Sequence, residues 1–105
     1  MNNAAADLKP LTTDMTSWRR DIHRHPELGF DVIRTSDKVA ALLEEFGVEV
    51  HRGIGQTGVV GVLRRGSGNR AIGLRADMDA LPIQEANDFD HKSTVKNVFH
   101  GCGHD

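Results

Sequence analysis

The last six residues of the 105-residue chain gather the side chains best suited to binding a metal. They read His100-Gly101-Cys102-Gly103-His104-Asp105 and include the only cysteine and two of the six histidines. Thiolate and imidazole suit zinc and similar divalent ions, and the two glycines let ligands two positions apart converge. Two ligands do not complete a site. The pattern alone therefore leaves a metal site, a buried thiol, a terminal tail and a cysteine nucleophile as alternatives.

A second chemical pattern is the acidic pair Asp77 and Asp79, which follows an apolar run. In an extended backbone these side chains project to the same side, and strand ends are where α/β proteins place ligands. Neighbouring carboxylates repel unless a cation, a shared proton or a basic group lies between them. The pair fits a metal site or a carboxylate that orients a metal-bound histidine. By itself, however, an Asp-x-Asp pattern favours a solvated acidic turn.

Two histidines flank Arg24 in the segment His23-Arg24-His25-Pro26. Residues two apart do not share a helical face, so joint metal binding from a regular helix is disfavoured. Histidines near a helix C-terminus can interact favourably with its dipole, and Pro26 can end the helix. The segment therefore favours a structural role over a catalytic one.

Two helices and about three strands are predicted to position these residues. The apolar periodicity predicts a first helix from near Leu11 to Arg24 and a second from Val32 to Phe46, with Gly47 closing the second. The first ten residues are small and polar and predict a flexible lead-in. Three β-rich runs follow, with a hairpin loop expected at 65–69 between the last two: Val48 to His51, Gly58 to Leu63 and Ala71 to Ala76.

This inventory predicts an α/β fold with a small mixed sheet. Helices on one face of such a sheet leave its other face and at least one edge open. We therefore expect further sequence to cover them, the alternative being a complete two-layer domain of this size.

Composition excludes several classes of function. The formal net charge is -2 and the basic residues are scattered, which argues against nucleic-acid binding. One cysteine excludes an internal disulfide, and no apolar window is long enough to span a membrane. The first residues lack the features of a secretory signal, so we expect a cytoplasmic protein.

Four segments together resemble the opening of the metallopeptidase-like amidohydrolases of the hippurate hydrolase type. They are Trp18 to Phe30, Gly55 to Gly61, Leu74 to Pro82 and His100 to Asp105. The family includes N-acyl-amino-acid amidohydrolases and auxin-conjugate hydrolases. The resemblance implies that residues 11–105 form the N-terminal part of a zinc-exopeptidase-type catalytic domain, without the lid domain that usually mediates dimerisation. The oligomeric state of this chain is therefore left open.

The resemblance also implies roles for individual residues. Cys102 and His104 match two ligands of a two-metal centre that takes Zn, Mn, Co or Ni. Asp79 matches an aspartate that supports a metal ligand, whereas Asp77 falls where relatives have a ligating histidine. Asp105 is expected to orient its neighbours. The remaining ligands, a glutamate and two histidines, and the general-base glutamate follow the Cys-x-His motif in the family and are expected to be absent from this chain.

The implied reaction is metal-dependent hydrolysis of the amide bond in small N-acyl or N-aroyl amino acids. With half of the ligand set and the base missing, we expect the chain alone to be inactive. Two alternatives belong to other classes. One is a non-enzymatic truncated remnant, and the other is a small metal-binding or interaction module with a structural zinc site made by His91, His100, Cys102 and His104.

Overall fold

The computed structural model describes residues 3–103. Its elements are α1 (Ala4–Leu8), a 3-10 helix (Lys9–Leu11), α2 (Thr12–Arg24), α3 (Ile33–Glu45), β1 (Glu49–Ile54) and β2 (Gly58–Val62). The chain divides into two compact units. The helix–hairpin unit is Glu27–Asp79, and the loop unit comprises the described residues up to Pro26 together with those from Ala80 onward. None of the described helices is long and apolar enough to cross a membrane.

In the helix–hairpin unit, the N-terminus of α3 is capped by a side chain that lies outside the helix, that of Glu27. The Glu27 carboxylate accepts hydrogen bonds from the amides of Arg34 (3.0 Å) and Thr35 (2.7 Å) and from the Thr35 hydroxyl (2.7 Å). These amides have no partner within the helix, because they lie in its first turn. Burial alone would raise the pKa of Glu27, but these hydrogen bonds and the Arg34 charge outweigh it, and the pKa is lowered.

Helix α3 packs against both strands of an antiparallel hairpin. In the hairpin, Glu49 lies opposite Val62 and Ile54 lies opposite Gly58. The helix lies close to the sheet at Gly61, where an added Cβ would be 3.0 Å from Val48 Cγ1 and 3.3 Å from Leu43 Cδ1. A glycine at this position therefore allows the close approach.

The hairpin lies earlier in the chain than the sequence predicts. Residues 55–57 connect its strands, and Gly55 and Gln56 adopt the left-handed conformation with φ of 57° and 86°. Within residues 3–103, the loop at 65–69 joins no strands, and the predicted strand from Ala71 to Ala76 has none of the ladder pairing that defines a strand. Its Ile72 and Leu74 side chains are 91% and 96% exposed. The sheet described is thus two-stranded and antiparallel rather than mixed.

The two predicted helices are confirmed. Helix α2 ends at Arg24, and α3 ends just before Phe46 and Gly47, whose φ of 80° closes it. Within the predicted lead-in, Ala4–Leu8 form α1, which Asn3 caps by accepting hydrogen bonds from the amides of Ala5 and Ala6 at 3.2 and 3.3 Å. The flexibility of this segment stays a prediction.

In the loop unit, α2 is tied to a segment without regular structure. The backbone of Leu81 pairs with that of Phe99 in an isolated antiparallel bridge, with N–O distances of 3.0 and 3.1 Å. The amide and hydroxyl of Thr94 both donate to the carbonyl of Arg24, at 2.9 and 2.8 Å. These bonds join the end of α2 to the segment that leads to Cys102.

Candidate metal centre

Cys102 lies in an exposed turn that follows the Leu81–Phe99 bridge. Its thiol is free and exposed. Just before it, the Gly101 amide donates to the Phe99 carbonyl at 3.0 Å, which turns the backbone sharply. His104 and Asp105 lie outside the described residues, so their roles stay predictions.

The ring of Phe99 covers Gly101. A Cβ added at Gly101 would overlap the ring atoms Cζ, Cε1 and Cε2 of Phe99. The sequence predicts a glycine here for backbone freedom, but the structure gives a further reason, the space that the ring occupies. The approach to Cys102 is therefore set by a side-chain contact as well as by the turn.

The loop unit also contains a buried histidine–glutamate pair. His23 Nε2 donates to Glu85 at 2.9 Å (Oε2) and 3.2 Å (Oε1), and the two side chains are 5% and 2% exposed. Glu85 also accepts hydrogen bonds from Asn87 Nδ2 (2.9 Å) and the Ser93 amide (2.6 Å). Burial alone would raise the pKa of Glu85, but the hydrogen bonds from Asn87, Ser93 and His23 lower it overall. The carboxylate is thus held in its ionised form.

Four rings surround the His23 imidazole. The centroids of Phe89, His91, Phe99 and His100 lie 5.9, 5.8, 6.2 and 6.3 Å from that of His23. His91 itself stacks on Phe89, with a centroid separation of 3.9 Å. His23 therefore fills the interior of the loop unit, which agrees with the structural role that the sequence favours.

His25 is held locally. Its Nδ1 donates to the carbonyl of Asp21 at 2.9 Å. This carbonyl lies one turn back in α2, and Pro26 follows the histidine directly. The bond thus occupies one of the carbonyls that a helix end leaves open, and it supports a structural role for His25 as well.

Glu85 has no counterpart among the residues singled out from the sequence. It lies 62 positions from His23, in a segment without helical or strand periodicity. Glu27, the cap of α3, lies within the motif from Trp18 to Phe30, which assigns it no role of its own. Acidic residues that satisfy several backbone amides from a distance leave no local pattern, so sequence reasoning had no signal with which to find either role.

The acidic pair belongs to the helix–hairpin unit. Asp77 forms an ion pair with Arg75, and Asp79 is exposed. Because the described residues 71–76 form no strand, the pair does not project from a strand end as predicted. The supporting role of Asp79 rests on the family resemblance.

Across residues 3–103, no three histidine, cysteine or acidic side chains are grouped so as to hold a metal ion. The described His91, His100 and Cys102 thus do not form such a group, and the zinc-module alternative, which also needs His104 outside the described range, stays a prediction. Burial and the neighbouring charges of Arg20 and Arg19 lower the pKa of His91. The exposed Cys102 thiol fits one ligand position of a divalent-metal site by its chemistry, without completing such a site.

Comparisons with known proteins agree on one family. A model of peptidase family M20/M25/M40 matches residues 73–105. The hippurate hydrolase of Campylobacter jejuni is 50% identical over 98% of this chain, which spans 27% of that enzyme. The N-acyl-L-amino acid amidohydrolase of Geobacillus stearothermophilus is 45% identical over 90% of the chain, which spans 26% of it.

The comparison of folds agrees with the comparison of sequences. A Bacillus subtilis structure described as a dinuclear metal-binding peptidase of the M20 family superposes with a TM-score of 0.84 and 38% identity. That match covers 91% of this chain and 27% of the Bacillus protein. The chain thus spans about a quarter of the length of the relatives it matches. Over that length its sequence and its partial α/β fold match those of M20-family hydrolases.

Proposed function

We propose that the chain contributes two metal ligands, Cys102 and His104, to the active site of an amidohydrolase that cleaves small N-acyl or N-aroyl amino acids. The observation that carries the proposal is the exposed Cys102 thiol, which follows the Phe99-covered Gly101 within the segment that the M20 family model matches. The names of the Campylobacter and Geobacillus relatives support the substrate class. We propose residues 11–105 as the part of the catalytic domain involved.

The cofactor would be a pair of divalent ions, as the description of the Bacillus structure supports. Cys102 and His104 would hold them, and Asp79 would support a ligand. When bound, such ions polarise the scissile carbonyl and lower the pKa of a water. Thiolate and imidazole favour Zn, Co or Ni, and Mn is retained from the family.

The chain's own contribution is to position ligands rather than to transfer protons. The buried Glu85 is ionised but engaged with His23, Asn87 and Ser93, so it is not offered as the base. We therefore propose that the 105 residues alone do not hydrolyse amides. The cytoplasmic location stays a prediction.

The test grafts these 105 residues in place of the matching part of the Campylobacter hippurate hydrolase. We expect the chimera to release glycine from hippurate and to lose this activity with chelator. Asp79→Asn should lower kcat/KM by about 10–100-fold, the range for residues that support a ligand. Cys102→Ala and His104→Ala should lower it further.

Asp88→Asn is the matched control, because the Asp88 side chain is 97% exposed. It should leave kcat/KM unchanged. An active chimera that tolerates Cys102→Ala would refute the ligand assignment. Chelator-sensitive hydrolysis by the 105 residues alone, absent from Cys102→Ala, would refute their proposed inactivity.

A further inference from the structure

The buried carboxylate of Glu85 connects three parts of the loop unit. It binds His23 on α2, Asn87 in its own segment and the Ser93 amide at the start of the turn 93–98. All three partners donate to it, since an ionised carboxylate can only accept. A neutral side chain of the same size could not satisfy all of them.

One route leads from Glu85 through the backbone to Phe99. The Ser93 amide binds Glu85 at 2.6 Å, and the Ser93 hydroxyl donates to the Val98 carbonyl at 2.6 Å. Phe99 comes next in sequence and is paired with Leu81. Holding Ser93 therefore fixes the residue immediately before Phe99.

A second route leads through packing. Glu85 orients His23, and the Phe99 ring meets the His23 ring edge to face at 6.2 Å with an interplanar angle of 77°. The outer atoms of the Phe99 ring in turn cover Gly101. Both routes thus reach Phe99, whose ring covers Gly101, the residue adjoining Cys102.

From these contacts we infer that Glu85 is a positioning residue that sets the orientation of Cys102 through the ring of Phe99. The inference rests on the proposed role of Cys102 as a metal ligand and adds a residue that the family resemblance does not name. Glu85 touches neither metal nor substrate in this role. Its effect is on the geometry of the thiolate, and hence on the affinity and spectrum of a bound ion.

The first test titrates the 105-residue chain with Co²⁺ and follows the thiolate-to-cobalt charge-transfer band. Glu85→Gln keeps the size of the side chain but replaces one of its two acceptor oxygens with an NH₂ group. This group cannot accept a hydrogen bond from the surrounding donors. We expect it to weaken Co²⁺ binding by about 10-fold or more and to reduce the band at saturation. Asp88→Asn, in the same segment but exposed, should bind as the wild type does.

A second measurement needs no metal. Hydrogen exchange of the Gly101 amide reports its bond to Phe99, and we expect it to be faster in Glu85→Gln than in Asp88→Asn. If the wild type shows no cobalt band, the assignment of Cys102 as a metal ligand fails for this chain, and the Gly101 exchange rate alone tests the role of Glu85.

The positioning role of Glu85 is wrong if Gly101 exchanges at the same rate in Glu85→Gln as in the wild type. It is also wrong if the wild type binds Co²⁺ and Glu85→Gln binds it with the same affinity.

Two further substitutions, Gly101→Ala and Phe99→Leu, test the inference if Glu85→Gln fails to fold. Gly101→Ala places a methyl group against Phe99 atoms that a leucine side chain lacks. We expect Gly101→Ala to speed exchange of the residue 101 amide and, where the wild type binds, to weaken Co²⁺ binding. Both effects should be smaller in a Phe99→Leu background. Equal effects in both backgrounds, or no effect in either, would show that the Phe99 ring does not set the turn.

Discussion

Two histidine–glutamate pairs, one in each unit, have the same separation and different surroundings. In the loop unit His23 Nε2 lies 2.9 Å from Glu85, with side chains 5% and 2% exposed. In the helix–hairpin unit His51 Nε2 lies 2.9 Å from Glu49, with side chains 50% and 52% exposed. Exposed pairs contribute little because water and salt screen them, whereas removing one partner of a buried pair leaves an uncompensated charge. Burial, not distance, thus decides which pair matters.

The same contrast extends to the interiors of the two units. In the helix–hairpin unit, α3 meets the hairpin through apolar contacts, as between Leu43 and Gly61. In the loop unit, the aromatic rings around His23 surround a hydrogen-bond network in which the Glu85 carboxylate binds His23 and the Ser93 amide. We therefore expect the stability of the helix–hairpin unit to depend on side-chain volume, and that of the loop unit to depend on charge.

The largest expected effect is that of His23→Ala. It removes the partner of a buried carboxylate, and we expect it to lower the free energy of unfolding by about 3–5 kcal/mol. Chemical denaturation at neutral pH would measure the loss, and amide exchange would locate it in the loop unit.

The control is His51→Ala, which breaks the exposed pair. We expect a change of about 0–1 kcal/mol. Similar losses in the two variants would contradict the distinction drawn between the pairs.

The next largest effect on stability is expected from added side-chain volume. Gly61→Val forces side-chain atoms against Leu43 and Val48, and we expect it to lower the free energy of unfolding by about 1–3 kcal/mol. Gly68→Ala is the control, because an added Cβ there meets nothing within 4 Å. Thermal unfolding of both variants would check this, and a neutral Gly61→Val would mean that α3 and the hairpin are not closely packed.

The smallest effect is the response to acid. The pKa values of Glu85 and Glu27 are lowered from 4.5 in the folded chain. Each carboxylate therefore stabilises the fold above that pH, and the contribution is lost as the pH falls through the lowered value. Glu85→Gln and Glu27→Gln should each flatten the decline in stability below pH 4.5, as followed by denaturation at a series of pH values. Profiles parallel to that of the wild type would contradict the lowered pKa values.

Local signals explain what could be predicted. Helices α2 and α3 were predicted because apolar spacing, Pro26 and Gly47 mark them within a few residues. The family motifs led to Cys102, whose exposed turn the structure describes. The sequence predicts the hairpin loop at 65–69 rather than at 55–57, because local composition does not decide which strands pair. The network of Glu85 could not be predicted, because its partner lies far away in sequence.

The ties within the loop unit span most of the chain, 62 positions from His23 to Glu85 and 70 from Arg24 to Thr94. Closing so long a loop carries an entropic cost that contacts between neighbours in sequence avoid, and it slows folding. We therefore expect the amides of α3 to become protected before that of Phe99 in pulse-labelled refolding. During synthesis the order follows from the same spacing. Helix α2 is synthesised early, but the hydrogen bonds of its last turn can form only after Glu85 and Thr94 have left the ribosome.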